Sequence, residues 1–405
     1  MMGTMAETNS ICGSGGQEYG LYVHIPFCET KCGYCDFYSV PLKNRDPEPL
    51  VDAIVRELDT RVRQCEARIV TVFCGGGTPT LLPLPLLRRL LEAVNHAADP
   101  RTLTEFTVEA NPATVDDEKA SVLAAHGVTR VSMGAQSFHA EELATLERLH
   151  NADDIAPSVD ILRRNKIEQI NLDLIFGIPG QTVDSWLSTV DRATALHPDH
   201  IACYGLTYEP ETRLTAQRDC GHVTPCPEEI EADMYAITME RLPQAGLSQY
   251  EISNYAKTGS ESAHNLNYWR NGPYIGAGPS AAGFDGTHRY KNAADVGKYV
   301  RMMDGQGHAV AYAESVDRDA VVLETIMMQM RLVEGLSVAA FTEKTGVSPL
   351  VLFARRLESL SGRGLVRYDE GHIALTRNGM MVADAVIREL AAACGHTDRA
   401  LPVSR

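Results

Sequence analysis

The chain has 405 residues, 44% hydrophobic and 22% charged, an ordinary globular composition with room for two to three domains at about 150 residues each. With 37 Lys and Arg against 53 Asp and Glu, its net charge is −16 at pH 7, which argues against nucleic acid as the main partner. No run of about 18 apolar residues occurs, so no transmembrane helix is expected, and peripheral membrane contact stays open. The first basic residue is Lys31, so the start lacks the charged region of a secretory signal. Residues 1–18 read as a flexible tail rich in Gly and Ser, and the chain as cytoplasmic.

From residue 19 to 204 the sequence alternates strands with amphipathic helices. Apolar or β-branched runs at Leu21–Ile25, Ile69–Phe73, Phe106–Val108, Val128–Met133, Ile170–Phe176 and His200–Tyr204 predict six strands. Between them Pro49–Arg63, Leu84–Ala97, Asp116–His126, Ala140–Leu149, Ile155–Asn165 and Val183–Leu196 carry helical periodicity. Such βα units give parallel strands, either as an open doubly wound sheet or as a partial (β/α)6 barrel. Polar residues gather near the C-terminal ends of the strands, the face on which barrel enzymes carry their chemistry, and this favours the barrel.

The alternation stops after Tyr204, and residues 205–315 read as an irregular extension. Residues 316–405 form a second, C-terminal α+β unit. Within it, helices at Phe341–Thr345 and Leu350–Leu360, a hairpin at Gly364–Leu375 and a last helix at Met380–Leu390 give the order of a winged helix. No dense Lys/Arg patch accompanies it, so a packing or substrate-covering role is expected in place of DNA binding.

Ten cysteines are too sparse for a disulfide scaffold, but Cys28, Cys32 and Cys35 fall within eight residues directly after the first strand. Structural zinc calls for four ligands, and no second pair lies nearby. A [4Fe–4S] cluster is held by four thiolates, so three leave one iron open to bind a small molecule. Cys12, Cys65, Cys74, Cys203, Cys220, Cys226 and Cys394 are scattered and read as ordinary buried or surface residues.

The spacing C-x3-C-x2-C after a first strand resembles the signature of the radical S-adenosylmethionine (SAM) superfamily. Tyr22-Val23-His24-Ile25-Pro26-Phe27-Cys28, Gly75-Gly76-Gly77-Thr78-Pro79, Glu109-Ala110-Asn111-Pro112, Gln136-Ser137-Phe138 and Asp173-Leu174-Ile175-Phe176-Gly177 resemble more narrowly the oxygen-independent coproporphyrinogen III oxidase group, over residues 19–390. The resemblance implies a [4Fe–4S] cluster on Cys28, Cys32 and Cys35. It implies SAM held by Tyr22, Tyr34, Asp36, Gly76, Gly77, Thr78, Glu109, Gln136, Arg148 and Asp173.

That group contains oxidases, which decarboxylate coproporphyrinogen III to protoporphyrinogen IX, and heme chaperones. The oxidases carry a fourth cysteine two residues after the third and a longer N-terminal arm; here Phe37 stands in that place. The chaperone kind is therefore expected, with oxidase activity as the alternative. His264-Asn265-Leu266-Asn267-Tyr268-Trp269 fits the HNxxYW pattern of that kind, so His264, Asn265, Tyr268 and Trp269 are expected at heme, with hemoproteins or respiratory-chain apoproteins as recipients. Two departures stand out: Ala282-Gly283 replaces His-Ser, and Glu147 replaces a common Gly before Arg148.

Overall fold

The computed structural model describes residues 17–65 and 67–394; most of the expected tail, Cys12 included, lies outside the described residues. Six strands joined by helices follow the tail: β1 Glu18–Ile25, α1 Glu48–Gln64, β2 Arg68–Gly76, α2 Leu84–Ala97, β3 Glu105–Ala110, α3 Asp117–Ala125, β4 Arg130–Gln136, α4 Ile155–Arg164, β5 Gln169–Phe176, α5 Val183–Ala195 and β6 His200–Gly205. The strands pair in parallel in chain order, and each helix buries its apolar stripe against the sheet, as Leu87, Leu90, Leu91 and Val94 of α2 do. Helix starts are set by local chemistry. Asp116 accepts from the Lys119 amide, and Thr182 and Ser185 form a reciprocal capping box on α5.

The expected helix Ala140–Leu149 ends at Thr145. Glu147 sits at φ 55°, a left-handed conformation that turns Arg148 back toward the strands.

The segment expected to be irregular instead extends the sheet. It contains α6 Glu228–Gln244, β7 Asn254–Ala256, α7 Ala263–Trp269, β8 Tyr274–Ala277, β9 Ala282–Phe284, β10 His288–Asn292, α8 Val296–Gln306 and β11 Val310–Ser315. β7 adds antiparallel to β6 at one edge, and β8 adds parallel to β1 at the other. The result is one twelve-stranded sheet whose order is β11-β10-β9-β8-β1-β2-β3-β4-β5-β6-β7, followed by Ser248–Gln249. Its parallel part is a partial barrel, open between its two edges, and carries a seventh parallel strand beyond the six expected. Periodicity missed these strands because they are only three to six residues long. Trp186 of α5 donates its indole N–H to Thr238 Oγ1 at 2.9 Å, fixing α6 against the barrel.

The C-terminal unit has its own core around Ile326, Phe341, Phe353, Leu357, Ile373 and Val386. α9 Arg318–Gln329 leads into α10 Val338–Thr345, α11 Ala354–Gly362, the hairpin β12 Val366–Tyr368 and β13 His372–Leu375, and α12 Ala383–Ala391. Leu336–Ser337 adds a third strand beside β13, completing the winged-helix arrangement. Among the described residues no helix is long and apolar enough to cross a membrane.

Candidate functional site

The cysteine loop leaves the C-terminal end of β1 and is closed at its neck. Val40 N–H donates to Pro26 O and Leu42 N–H to Cys28 O, both at 2.8 Å, pinning the loop's return. His24 is buried, and its Nε2–H donates to Tyr38 O at 2.9 Å, leaving Nδ1 to accept from the Tyr22 hydroxyl at 2.8 Å. Burial pushes this imidazole down to about 4, so the clasp is made by a neutral ring.

The glycine run after β2 forms the second wall. Gly77 N–H donates to Ile25 O at 2.9 Å and Thr78 N–H to Phe27 O at 2.7 Å. Gly76 has φ 98°, and a Cβ there would fall 2.2 Å from His24 Cε1. Only glycine lets the backbone pass this close to the loop.

Cys28, Cys32 and Cys35 are free, half-buried thiols. Burial raises the Cys28 thiol and pushes Cys35 up to about 11. Arg148 Nη1 lies 3.6 Å from Cys32 Sγ, while Nη2 donates to Asn111 Oδ1 and, at 2.7 Å, to Gly134 O. Its Nε is buried and has no hydrogen-bond partner among the described residues. Among those residues no three His, Cys, Asp or Glu side chains converge on a single metal ion. A cluster asks for something different, one thiolate on each of three irons, and three free soft donors beside a guanidinium fit that anionic centre.

Two carboxylates complete the mouth. Glu109, at the end of β3, accepts from Gly76 N–H at 2.8 Å; burial, and then the charge of Asp173, pushes it up to about 8. Asp173 in β5 accepts from Ser132 Oγ at 3.1 Å and Asn171 Nδ2 at 2.7 Å, and burial holds it near 6. Gln136 is buried at φ 63°, where the β4–β5 register shifts, so a local kink places its side chain. Tyr34 packs with Ile175, Leu206 and Leu214, and Leu214 N–H donates to Gly33 O at 2.9 Å. Asp36 is half-buried in the same loop. Thr78 accepts from Asn111 Nδ2 at 2.7 Å. Of the expected SAM residues, Tyr34 and Asp36 lie on the cysteine loop, Gly76, Gly77, Thr78, Glu109 and Gln136 at or just past strand ends, Tyr22 and Asp173 within β1 and β5, and Arg148 on the turn after Ala140–Thr145. Sequence reasoning passed over Asn111, Ser132, Asn171 and His24; Asn111 was on view inside Glu-Ala-Asn-Pro.

The HNxxYW segment lies at the other end of the barrel. It is not a loop but helix α7, capped by the Ser262 side chain. Glu105, at the start of β3, accepts from the Ser262 hydroxyl at 3.1 Å and from the Ala263 amide at 2.7 Å. Thus a buried carboxylate meets the positive end of the helix. His264 is fully buried, with Nδ1 2.9 Å from Thr71 Oγ1 and Nε2 2.9 Å from the Tyr268 hydroxyl. Both ring nitrogens are engaged, and burial pushes the imidazole down to about 3. In this arrangement both ring nitrogens of His264, which is expected at heme, are occupied by Thr71 and Tyr268. Asn265, Tyr268 and Trp269 are half-buried, and Arg331 sits 6.0 Å from the Trp269 ring.

Residues 22–193 match the Radical SAM superfamily and residues 316–382 the HemN C-terminal domain. The fold agrees: a solved structure described as coproporphyrinogen III oxidase (HemN) from Escherichia coli, a radical SAM enzyme, superposes with a TM-score of 0.81 at 23% identity, covering 97% of this chain and 93% of that one. Barrel, cysteine loop and C-terminal unit together define a radical SAM protein, the class that holds a [4Fe–4S] cluster and SAM. A Bacillus subtilis relative named heme chaperone HemW is 35% identical over 90% of this chain and 97% of its own length. A Mycobacterium tuberculosis relative of the same name is 35% identical over 93% and 95%. The chain belongs to the HemW family.

Proposed function

We propose that this chain is a heme chaperone that binds heme and passes it to hemoproteins, respiratory-chain apoproteins among them, in the cytoplasm. The observation that carries the reading is the identity to relatives of that name over nine tenths of the chain. Phe37 supports it: at the position of the oxidases' fourth cysteine stands an apolar side chain that is 55% exposed.

Cys28, Cys32 and Cys35 would hold the cluster. Bound there with SAM, it would supply an electron for cleavage at the sulfonium. The remaining residues bind and orient. Backbone amides of Gly76, Gly77 and Thr78 and the side chains of Tyr22, Tyr34, Asp36 and Gln136 would shape the SAM pocket. Glu109 would meet the SAM ammonium, and Asp173 the ribose hydroxyls. Arg148 offsets the negative charge of the thiolates. A cation arriving beside Glu109 draws the carboxyl proton off, so this carboxyl gains its full charge on occupation.

For heme, Asn265, Tyr268 and Trp269 offer partly open edges, and His264 reaches iron only if its bonds to Thr71 and Tyr268 break. An anaerobic heme titration of the cluster-loaded chain tests the reading: a saturable Soret change is expected. Conversion of coproporphyrinogen III to protoporphyrinogen IX, with SAM and a reductant, would instead establish the oxidase.

A further inference from the structure

Asp173 is the end of a hydrogen-bonded chain that crosses the barrel interior. Asn171, 5% exposed, donates Nδ2–H to Asp173 Oδ1 at 2.7 Å and to Ser132 Oγ at 2.7 Å. The amide nitrogen must face these two, because an ionised carboxylate only accepts. Asn171 Oδ1 therefore faces His200 Nδ1, 2.6 Å away, and must accept from it. His200 is 2% exposed and neutral, held so by burial and by the Arg130 charge. With its proton on Nδ1, its Nε2 accepts from the Tyr250 hydroxyl at 2.8 Å. The Tyr250 oxygen in turn accepts from the Ser262 amide at 3.3 Å. Ser262 is the cap of α7.

Every donor in this series points the same way, from the cap of α7 to the carboxylate at the mouth. Only one tautomer of His200 and one orientation of the Asn171 amide satisfy all five residues. Aligned hydrogen bonds of this kind polarise and stiffen one another in a dry interior.

We propose that Asn171, His200 and Tyr250 are positioning residues for Asp173, fixing its carboxylate for SAM through a one-directional relay anchored on the cap of α7. The proposal rests on the reading of Asp173 as a SAM contact and adds three residues, none of which reaches the mouth itself.

The test is SAM affinity by calorimetry on the cluster-loaded full chain, with iron content and melting point as controls. His200→Phe removes both links and should weaken SAM about tenfold or more, the scale of one hydrogen bond to a charged group. His200→Asn, whose amide can still donate at the Nδ1 position, should recover most of that loss. Tyr250→Phe deletes one hydroxyl, carries little risk to folding and should cost about threefold, being one step further from the carboxylate. In 15N spectra His200 should appear as the Nδ1–H tautomer.

An Nε2–H tautomer overturns the relay. So does unchanged SAM affinity in both His200→Phe and Tyr250→Phe while Asp173→Asn loses binding. Unchanged affinity in Asp173→Asn removes the SAM reading of Asp173, and the relay's role with it.

Discussion

The Nδ1 atom of His264 lies 2.9 Å from the hydroxyl of Thr71, inside the floor of the barrel. This contact joins the helix after β7 to the second strand, and the ring also lies 5.5 Å from Phe73. His264→Ala would empty a fully buried site and strand the Thr71 and Tyr268 hydroxyls. We expect a loss of about 2–4 kcal/mol in chemical denaturation. His264→Gln, which can still meet one hydroxyl, should lose less. An alanine variant with unchanged stability and no Soret change would show instead that His264 serves heme directly.

Iron content separates the cysteine loop from the scattered thiols. Alanine at Cys28, Cys32 or Cys35 should remove most of the roughly four irons of a [4Fe–4S] centre. Cys74 and Cys203 are fully buried in the core, and burial holds both thiols protonated. Alanine at either should leave iron unchanged, and a full complement of iron in Cys32→Ala would refute the assignment.

Glu109 makes SAM binding depend on pH. Its folded pKa, about 8, lies above the ordinary carboxylate value, so it is mostly protonated at pH 7 in the empty site. Ionisation beside a bound ammonium then releases a proton. SAM affinity should rise by up to about tenfold per pH unit between pH 6 and 8 and flatten above. The same shift lowers stability as pH climbs from the unfolded value toward 8, because the unfolded chain ionises first. Calorimetry at pH 7 in buffers of different ionisation heat should count close to one proton released. Glu109→Gln should abolish that release, and an unchanged count would place the proton elsewhere.

The left-handed turn at Glu147 gives a stability prediction. A side chain at φ 55° costs about 1 kcal/mol or more relative to glycine. Glu147 pairs with Arg213, an exposed contact of small value. Glu147→Gly should therefore raise stability slightly, by about 0.5–1 kcal/mol, in urea denaturation. A clear loss would mean that the Arg213 pair, which also bridges to Lys31 O, holds the cysteine loop down.

Much of the architecture was legible because alternation and periodicity are local signals. The six strands and the helices joining them, the cysteine loop at a strand end and the winged-helix order all follow from runs of five to fifteen residues. β8 was not legible, since Tyr274–Ala277 is four residues long and earns its place only by pairing with β1. The burial of His264 was hidden for a related reason. Its sequence shows an imidazole beside two aromatic rings, and nothing local says that Glu105 and Thr71 receive the helix from below. Asn171 and His200 read as polar residues in or at the end of apolar strands, and their partnership appears only when β5 and β6 lie side by side.

The strand that launches the cysteine loop is flanked by β2 on one side and by β8 on the other, with Gly20 beside Tyr274. A chain emerging from the ribosome thus completes Cys28, Cys32 and Cys35 long before the neighbour that shields their strand exists. Through most of synthesis β1 has one bare edge, and the floor that α7 closes is still missing. Pairings of this span form late and slowly. The cysteine loop is therefore complete in an unfinished vessel, one neighbour of its strand still to be made.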